Sequence, residues 1–484
     1  MKKSLVFRIC CLLLSWSLVS CSSGEEEEAA TDPDTPVDIT LKSASNAPVA
    51  NATAYLFRAP STEANGRNPT LALAKGTSNA SGMVSFNLKN VPSLPASGTL
   101  HVTVLTGTDN TVLGSAPINY TKGQPVKQDL VVTVPTSTTS YAHGFMPTTL
   151  TPELAMSEYN RWKTTQVVAC NDGLRLISEN PQETKVEAVG FGMLLAAYAQ
   201  DKATFDGIHR FYNSKRTPEA GNMMAWSVTC NGYLDKGSAT DGDIDVAFAL
   251  IVASKHWGES YLTAAKEILK VVKEKVVVPC NSNGKSIYVL GPGYNNVAWG
   301  GCNMLDLMYH TPAFFRVFAT VTGDNIWNQL ADDTYTLLEA SAHPTTGLVP
   351  DWQTAAGAPG PGGRAGYFGY DACRAPWRLT LDYLWNGNAK AEAWAKKVSN
   401  WASQIGPANI KDGYELNGTP RGTYGGNSAF IGGFAVAAMS NSQTTVNQFG
   451  TEMAKLKDTY WFNINTRVLY LFTLTGKFYN PLAQ

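Results

Sequence analysis

Three acidic stretches of this chain carry residues whose types and spacing could move protons. Glu187 lies in "KVEAVGFGMLLAAY", with Glu183 and Thr184 one helical turn before it and Gly190 and Phe191 one turn after. No cation stands at those positions to pair with it. A carboxyl entering so apolar a wall is poorly solvated, which favours its protonated form, as a general acid near neutral pH requires. The plainer reading is a charge at a helix start. Asp241, Asp243 and Asp245 lie in "SATDGDIDVAFALIVASKHW". They mimic the opening of a calcium loop, but Val246 and Val252 occupy the positions that need Gly and Glu. Thr240 or Asp241 is expected to cap a buried helix, with the next acids facing its positive end. Three acids exceed what a cap requires, so one could point into a cleft at the helix mouth. In "FGYDACRAPWRL", Asp371 precedes Arg374 by three residues. Pro376 suits a first helical position, and Ala375 before it is biased away from helical angles. Asp371 is therefore expected in the loop ahead of that helix.

The elements that must hold these acids fall into two groups. Between Val37 and Val134 the pattern has period two and is rich in β-branched residues. It predicts strands Val37–Leu41, Ala52–Phe57, Leu71–Lys75, Met83–Leu88, Thr99–Leu105, Val112–Tyr120 and Gln128–Val134, a small antiparallel sandwich. The stretch contains no Trp and reads as a spacer more readily than as a carbohydrate-binding module. Beyond "PTSTTS" (135–140) helical periodicity takes over. It predicts helices at Ala188–Ala199, Thr204–Tyr212, Ile244–Ala253, Tyr261–Lys273, Asn303–Tyr309, Pro312–Thr322, Ile326–Ala342, Trp377–Trp385, Ala389–Ala402, Asn427–Met439, Thr445–Leu456 and Asn463–Thr475. Several are apolar all round and should be fully buried. A dozen helices with half of them buried fit two concentric rings, an (α/α)6 barrel. The expected fold is thus multidomain: a β-sandwich over 37–134, then an all-α barrel over 141–484 that carries the chemistry. Gly190 and Gly192 would let a ligand approach the Glu187 helix closely. "GAPGPGGRAG" (357–366) lacks GK[ST] and reads as an irregular rim.

The N-terminus reads as a processing segment. Lys2, Lys3 and Arg8 precede a short apolar run, and "LVSC" ends on Cys21 like a bacterial lipobox. Residues 1–21 form that signal, with Cys21 as the lipidated residue, and 22–36 an acidic linker containing Glu25–Glu28. Acids so close to a lipidated Cys resemble the surface-export signal of Bacteroidetes lipoproteins. The expected location is therefore the outer membrane, facing outward. Of eight Cys, five remain after the lipidated one: Cys170, Cys230, Cys280, Cys302 and Cys373. Their number is odd, so at least one thiol is free, and pairing cannot be read from spacing. No CxxC or HExxH pattern occurs, so no metal or other cofactor is expected. Formal net charge is −1 over 484 residues, which gives no case for nucleic acid. A monomer is expected, with a membrane reached through the lipid.

Four separated motifs then agree. "EAVGFGMLLAAY", "GSATDGDIDVAFALIVASKHW", "GLVPDW" (347–352) and "GYDACRAPWRLTLDY" (369–383) resemble glycoside hydrolase family 8, in the family's order and over about residues 150–480. Val246 and Ala188 are mild departures. The resemblance implies an (α/α)6 barrel with a long sugar cleft and an inverting mechanism. It implies Glu187 as general acid, Asp371 as general base and Asp241 as holder of the distorted sugar. Tyr370 and Arg374 would flank the base and its water, and Trp226 in "MMAWSV" and Trp299 in "NVAWGG" would stack on sugars. "ATDGD" and a retained Asp371 lean toward endo-cleavage of β-1,4-glucan or mixed-linkage glucan over xylan or chitosan. The rival from another class is a surface lipoprotein that binds glycan without cutting it.

Overall fold

The computed structural model describes residues 32–42, 48–49, 52–79, 81–105, 112–132, 141–361 and 366–483. Cys21, the acidic residues after it, "PTSTTS" and part of the 357–366 rim lie outside the described residues. The chain divides into two compact units, 1–136 and 137–484.

The first unit contains β1 (Pro36–Lys42), β2 (Thr53–Phe57), β3 (Ala74–Thr77), β4 (Met83–Asn87), β5 (Ser97–Leu105), β6 (Val112–Thr121) and β7 (Val126–Val131). They form two sheets, β4-β1-β7 and β3-β2-β5-β6. Alternate residues such as Val37, Ile39 and Leu41 of β1 are buried, which is the period-two pattern of a half-covered strand. Two expectations change. The β1–β7 pair is parallel, so the sandwich is not wholly antiparallel. The third strand starts later because Pro69–Leu71 forms a short 3₁₀ turn, where proline suits the first position.

The second unit contains twelve α-helices among the described residues. These are α1 (Pro152–Gln166), α2 (Val186–Tyr198), α3 (Lys202–Ser214), α4 (Thr240–Trp257), α5 (Glu259–Val276), α6 (Pro312–Thr322), α7 (Ile326–Ser341), α8 (Ala375–Asn386), α9 (Ala389–Ile405), α10 (Ser428–Ala438), α11 (Gln443–Lys455) and α12 (Trp461–Leu474). Even-numbered helices pack in a closed inner ring: α2 on α4, α6 on α8, α8 on α10, α10 on α12 and α12 on α2. Phe248 and Phe314, stacked with centroids 3.7 Å apart, join α4 to α6. The odd-numbered helices pack on the outside of that ring, α9 against both α8 and α10. The sequence sorts the two rings. Every residue of α10 and α12 is buried, whereas α5 buries Ala265, Ile268, Leu269, Val272 and Val276, a single stripe. This is an (α/α)6 barrel.

The helix expected over Asn303–Tyr309 is instead two 3₁₀ turns, Gly301–Asn303 and Leu307–Tyr309. Gly300 and Gly301 have positive φ, and Asp306 caps the second turn by accepting from Met308 N–H at 2.9 Å. Helix α1 was not among the expected helices, because its polar residues dilute the apolar period. Helix α8 begins at Ala375, whose angles are helical despite the following proline. Gly190 and Gly192 serve packing rather than a ligand. A Cβ on Gly190 would come 2.9 Å from Gly242 O, and one on Gly242 would come 2.5 Å from Val186 O, so the pair lets α2 and α4 touch. Gly192 faces Leu176 and Ile208.

Among the described residues, the disulfides Cys170–Cys230 and Cys280–Cys302 leave Cys373 free and buried. Inside the ring, Arg378 of α8 donates two hydrogen bonds of 2.8 Å to Asp245 of α4, with both side chains removed from water. A buried carboxylate that loses its cation is costly, so Arg378→Met should lower stability by about 3–5 kcal/mol. Chemical denaturation measures this, and an unchanged midpoint would contradict it.

Candidate active site

The inner helices α2, α4 and α8 bring their N-terminal ends to one cleft of about 370 Å³. Glu187 is the second residue of α2 and Asp241 the second of α4. Asp371 stands just before the 3₁₀ turn Ala372–Arg374 that leads into α8. Helix N-termini favour carboxylates, so one geometric feature gathers three acids.

Arg374 ties them together. Its Nη1 donates to Glu187 Oε2 and to Asp241 Oδ2, both at 3.0 Å, and its Nη2 lies 3.4 Å from Asp371 Oδ1. The guanidinium is 1% exposed and lies 5.3 Å from the Phe462 ring centroid. One cation facing three carboxylates leaves excess negative charge. Burial raises the proton affinity of Glu187, and the charges of Asp241 and Asp371 add to it against the pull of Arg374, so Glu187 is pushed up to about 7. Burial likewise raises Asp241 above the ordinary carboxylate range.

The three acids of the α4 mouth have separate partners. Asp241 reaches Arg374 and accepts from Gly242 N–H at 2.9 Å. Asp243 accepts from Tyr212 OH at 2.6 Å and Met224 N–H at 3.2 Å, and burial pushes it up to about 7. Asp245 holds Arg378. None of them makes a side-chain cap: the capping position is Ala239, and Thr240 Oγ1 is buried without a partner. The expected cap is absent, and the acids are taken up by other partners: Arg374 and Arg378 across the ring for Asp241 and Asp245, and Tyr212 and the Met224 N–H for Asp243.

Trp226 and Trp299 also line the cleft, at 36% and 47% exposure. Trp226 O accepts from Val186 N–H at 2.9 Å, which fixes it beside the start of α2. Trp299 meets Trp352 edge to face at 5.8 Å. Tyr370 is not part of that lining. Its ring packs on Phe430 and Phe462, and its hydroxyl, pushed up to about 12 by burial and Asp412, stays neutral.

The sequence reading assigned no role to several residues of this site. Trp352 Nε1 donates to Asp371 Oδ2 at 2.9 Å, and Tyr309 lines the wall, buried and neutral. Asp306, behind Asp371, keeps a buried oxygen without a partner, and burial raises it well above the usual range. Tyr309 and Asp306 were hidden by the wrongly expected helix. The acid–aromatic pair in "GLVPDW" was a visible signal for Trp352.

The profile of glycosyl hydrolases family 8 matches residues 132–476. Endoglucanase 2 of Ruminiclostridium josui is 35% identical over 344 residues, 68% of this chain and 72% of that protein. A reducing end xylose-releasing exo-oligoxylanase of Halalkalibacterium halodurans is 25% identical over 269 residues, 51% of this chain and 66% of that protein. The apo structure of a beta-1,3-1,4-glucanase from Paenibacillus sp. X4 superposes with a TM-score of 0.66 at 26% identity, covering 71% of this chain and 98% of that one. With this match over most of its length, and with the helical ring that positions the acids, the chain belongs to glycoside hydrolase family 8.

Proposed function

We propose that this chain is an inverting, endo-acting hydrolase of β-1,4-linked glucan, of the cellulose or mixed-linkage type. The observation that carries the reading is the single guanidinium shared by Glu187 and Asp371, with the proton favoured on Glu187. Glu187 gives its proton to the glycosidic oxygen as the C1–O bond breaks. A water attacks C1 from the opposite face and yields its proton to Asp371, whose two oxygens are aligned by Trp352 and Arg374. Inversion needs room for that water, with carboxyls roughly 6.5–9.5 Å apart. Asp241, pinned by Arg374, holds a sugar hydroxyl at the cleavage point. Trp226 and Trp299 offer apolar faces to sugar rings.

Endo-action is supported by exposed aromatics before helices on both halves of the ring. Trp226 and Trp299, which line the cleft, precede α4 and α6, and Tyr370 and Tyr460, exposed outside that lining, precede α8 and α12. A polymer could therefore lie across the mouth. The glucan preference is supported by the sequence of the endoglucanase relative, 35% identical over 68% of this chain against 25% over 51% for the xylose-releasing enzyme. The N-terminal lipobox supports a lipid-anchored protein at the cell surface, with the β unit as a spacer. Protease treatment of intact cells should remove the enzyme, whereas full protection would place it inside.

Glu187→Gln and Asp371→Asn should each lower kcat by roughly 10²–10⁴-fold while the protein stays folded. In the native protein kcat/KM should fall as pH rises through about 7, because Glu187 then loses the proton it must donate. Native-like turnover in either variant, or an alkaline limb far from 7, would remove the assignment. Among soluble polysaccharides, reducing ends should appear fastest with β-1,4- or mixed-linkage glucan. Faster cleavage of xylan or chitosan would overturn the substrate class, and glycan retention without new reducing ends would favour a binding protein.

A further inference from the structure

Asp351 and Trp352 are adjacent, yet they reach the turn that carries Asp371 by separate routes. Asp351 is 4% exposed. Its Oδ1 accepts from Gly369 N–H and Ala372 N–H, both at 2.8 Å. These two groups flank Tyr370 and Asp371, so one carboxylate oxygen closes the turn around the base. The Asp351 N–H donates to Tyr367 O at 2.8 Å, which ties the same segments a second time. A Cβ on Gly369 would come 2.3 Å from Asp351 Oδ2, so only glycine lets the carboxylate sit this close to the turn. Trp352 then holds Asp371 Oδ2 through its indole N–H at 2.9 Å.

Asp351 does not line the cleft, and the charged or titratable groups facing it are Asp371, Arg374, Asp306 and Cys373. It has no route to a substrate except through the turn. Burial and the neighbouring Asp371 push it up to about 7, so its place beside a second acid works against its charge. What the position does provide is an acceptor aimed at two N–H groups.

We propose that Asp351 is a positioning residue for the base. By accepting both N–H groups of the turn, it fixes the Asp371 carboxylate along the line on which water attacks. This rests on the reading of Asp371 as the base.

Two substitutions separate positioning from charge. Asp351→Asn keeps an oxygen at the same reach and removes the charge. Asp351→Glu keeps a carboxyl and moves it by one methylene. On soluble glucan, the Asn variant should retain kcat within about fivefold, and the Glu variant should lose about 10–100-fold in kcat with KM changed less than about twofold, the scale of an ångström misplacement at a reacting group. Gly369→Ala, which presses on the same carboxylate from the turn, should show the same kcat-selective loss and serves if the Glu variant does not fold. Native kcat in the Glu or Gly369→Ala variants, or a loss in Asn as large as that in Glu, would overturn the proposal. Asp371→Asn measured alongside keeps the two readings apart. If it is inactive while these variants are native-like, only the positioning role falls. If it is active, the base assignment falls.

Discussion

One buried guanidinium holds this site together. Arg374 is the common partner of Glu187, Asp241 and Asp371, and it is almost fully removed from water. Two consequences follow from charge alone. The acids converge because a planar, multidentate cation can bind several carboxylates at once, which the compact ammonium of a lysine cannot do with the same geometry. One cation also cannot balance three anions in a poorly solvated place, so a proton is retained. Burial, with the charges of Asp241 and Asp371 beside it, pushes Glu187 up to about 7, which keeps a proton on that carboxyl near neutral pH. Burial, and beside it the shortage of positive charge, thus leave Glu187 able to hold a proton at the mouth of the cleft.

The barrel exists to bring those acids to one end. Inner helices are buried on nearly every side, so a polar group along them needs a buried partner, as Arg378 has in Asp245, and only their mouths open to a cleft. Helix α4 shows the cost of this arrangement. Its three acids enter a low-dielectric ring, and each has its own remedy: Arg374 for Asp241, a tyrosine hydroxyl and a backbone N–H for Asp243, and Arg378 for Asp245. The contact of Gly190 with Gly242 sets how closely α2 and α4 approach, and with it the spacing of Glu187 and Asp241.

Much of this was legible in the sequence, for reasons that differ by element. Helices such as Pro312–Thr322 could be read because proline, apolar period and a following glycine coincide. Inner helices such as α2 and α10 were visible because they lack a polar face. The carboxylates could be singled out by unpaired local surroundings at Glu187 and by surplus acids at Asp241, whereas their roles came from the family resemblance. Long-range partnerships were not legible. No local pattern links Arg374 to Glu187, 187 residues away, or Asp245 to Arg378. The reading of Gly190 as a ligand approach failed for the same reason, since its neighbour comes from another helix. Tyr309 and Asp306 were missed because two 3₁₀ turns share the short apolar run of a helix.

The stereochemistry of the first turnovers tests the central claim most directly. If Glu187 and Asp371 act as acid and base on opposite faces of the sugar, proton NMR of early β-glucan hydrolysis will show the α-anomer at the newly formed reducing end, followed by slow mutarotation. Appearance of the β-anomer first would mean retention through a covalent intermediate, and would contradict the account of this site.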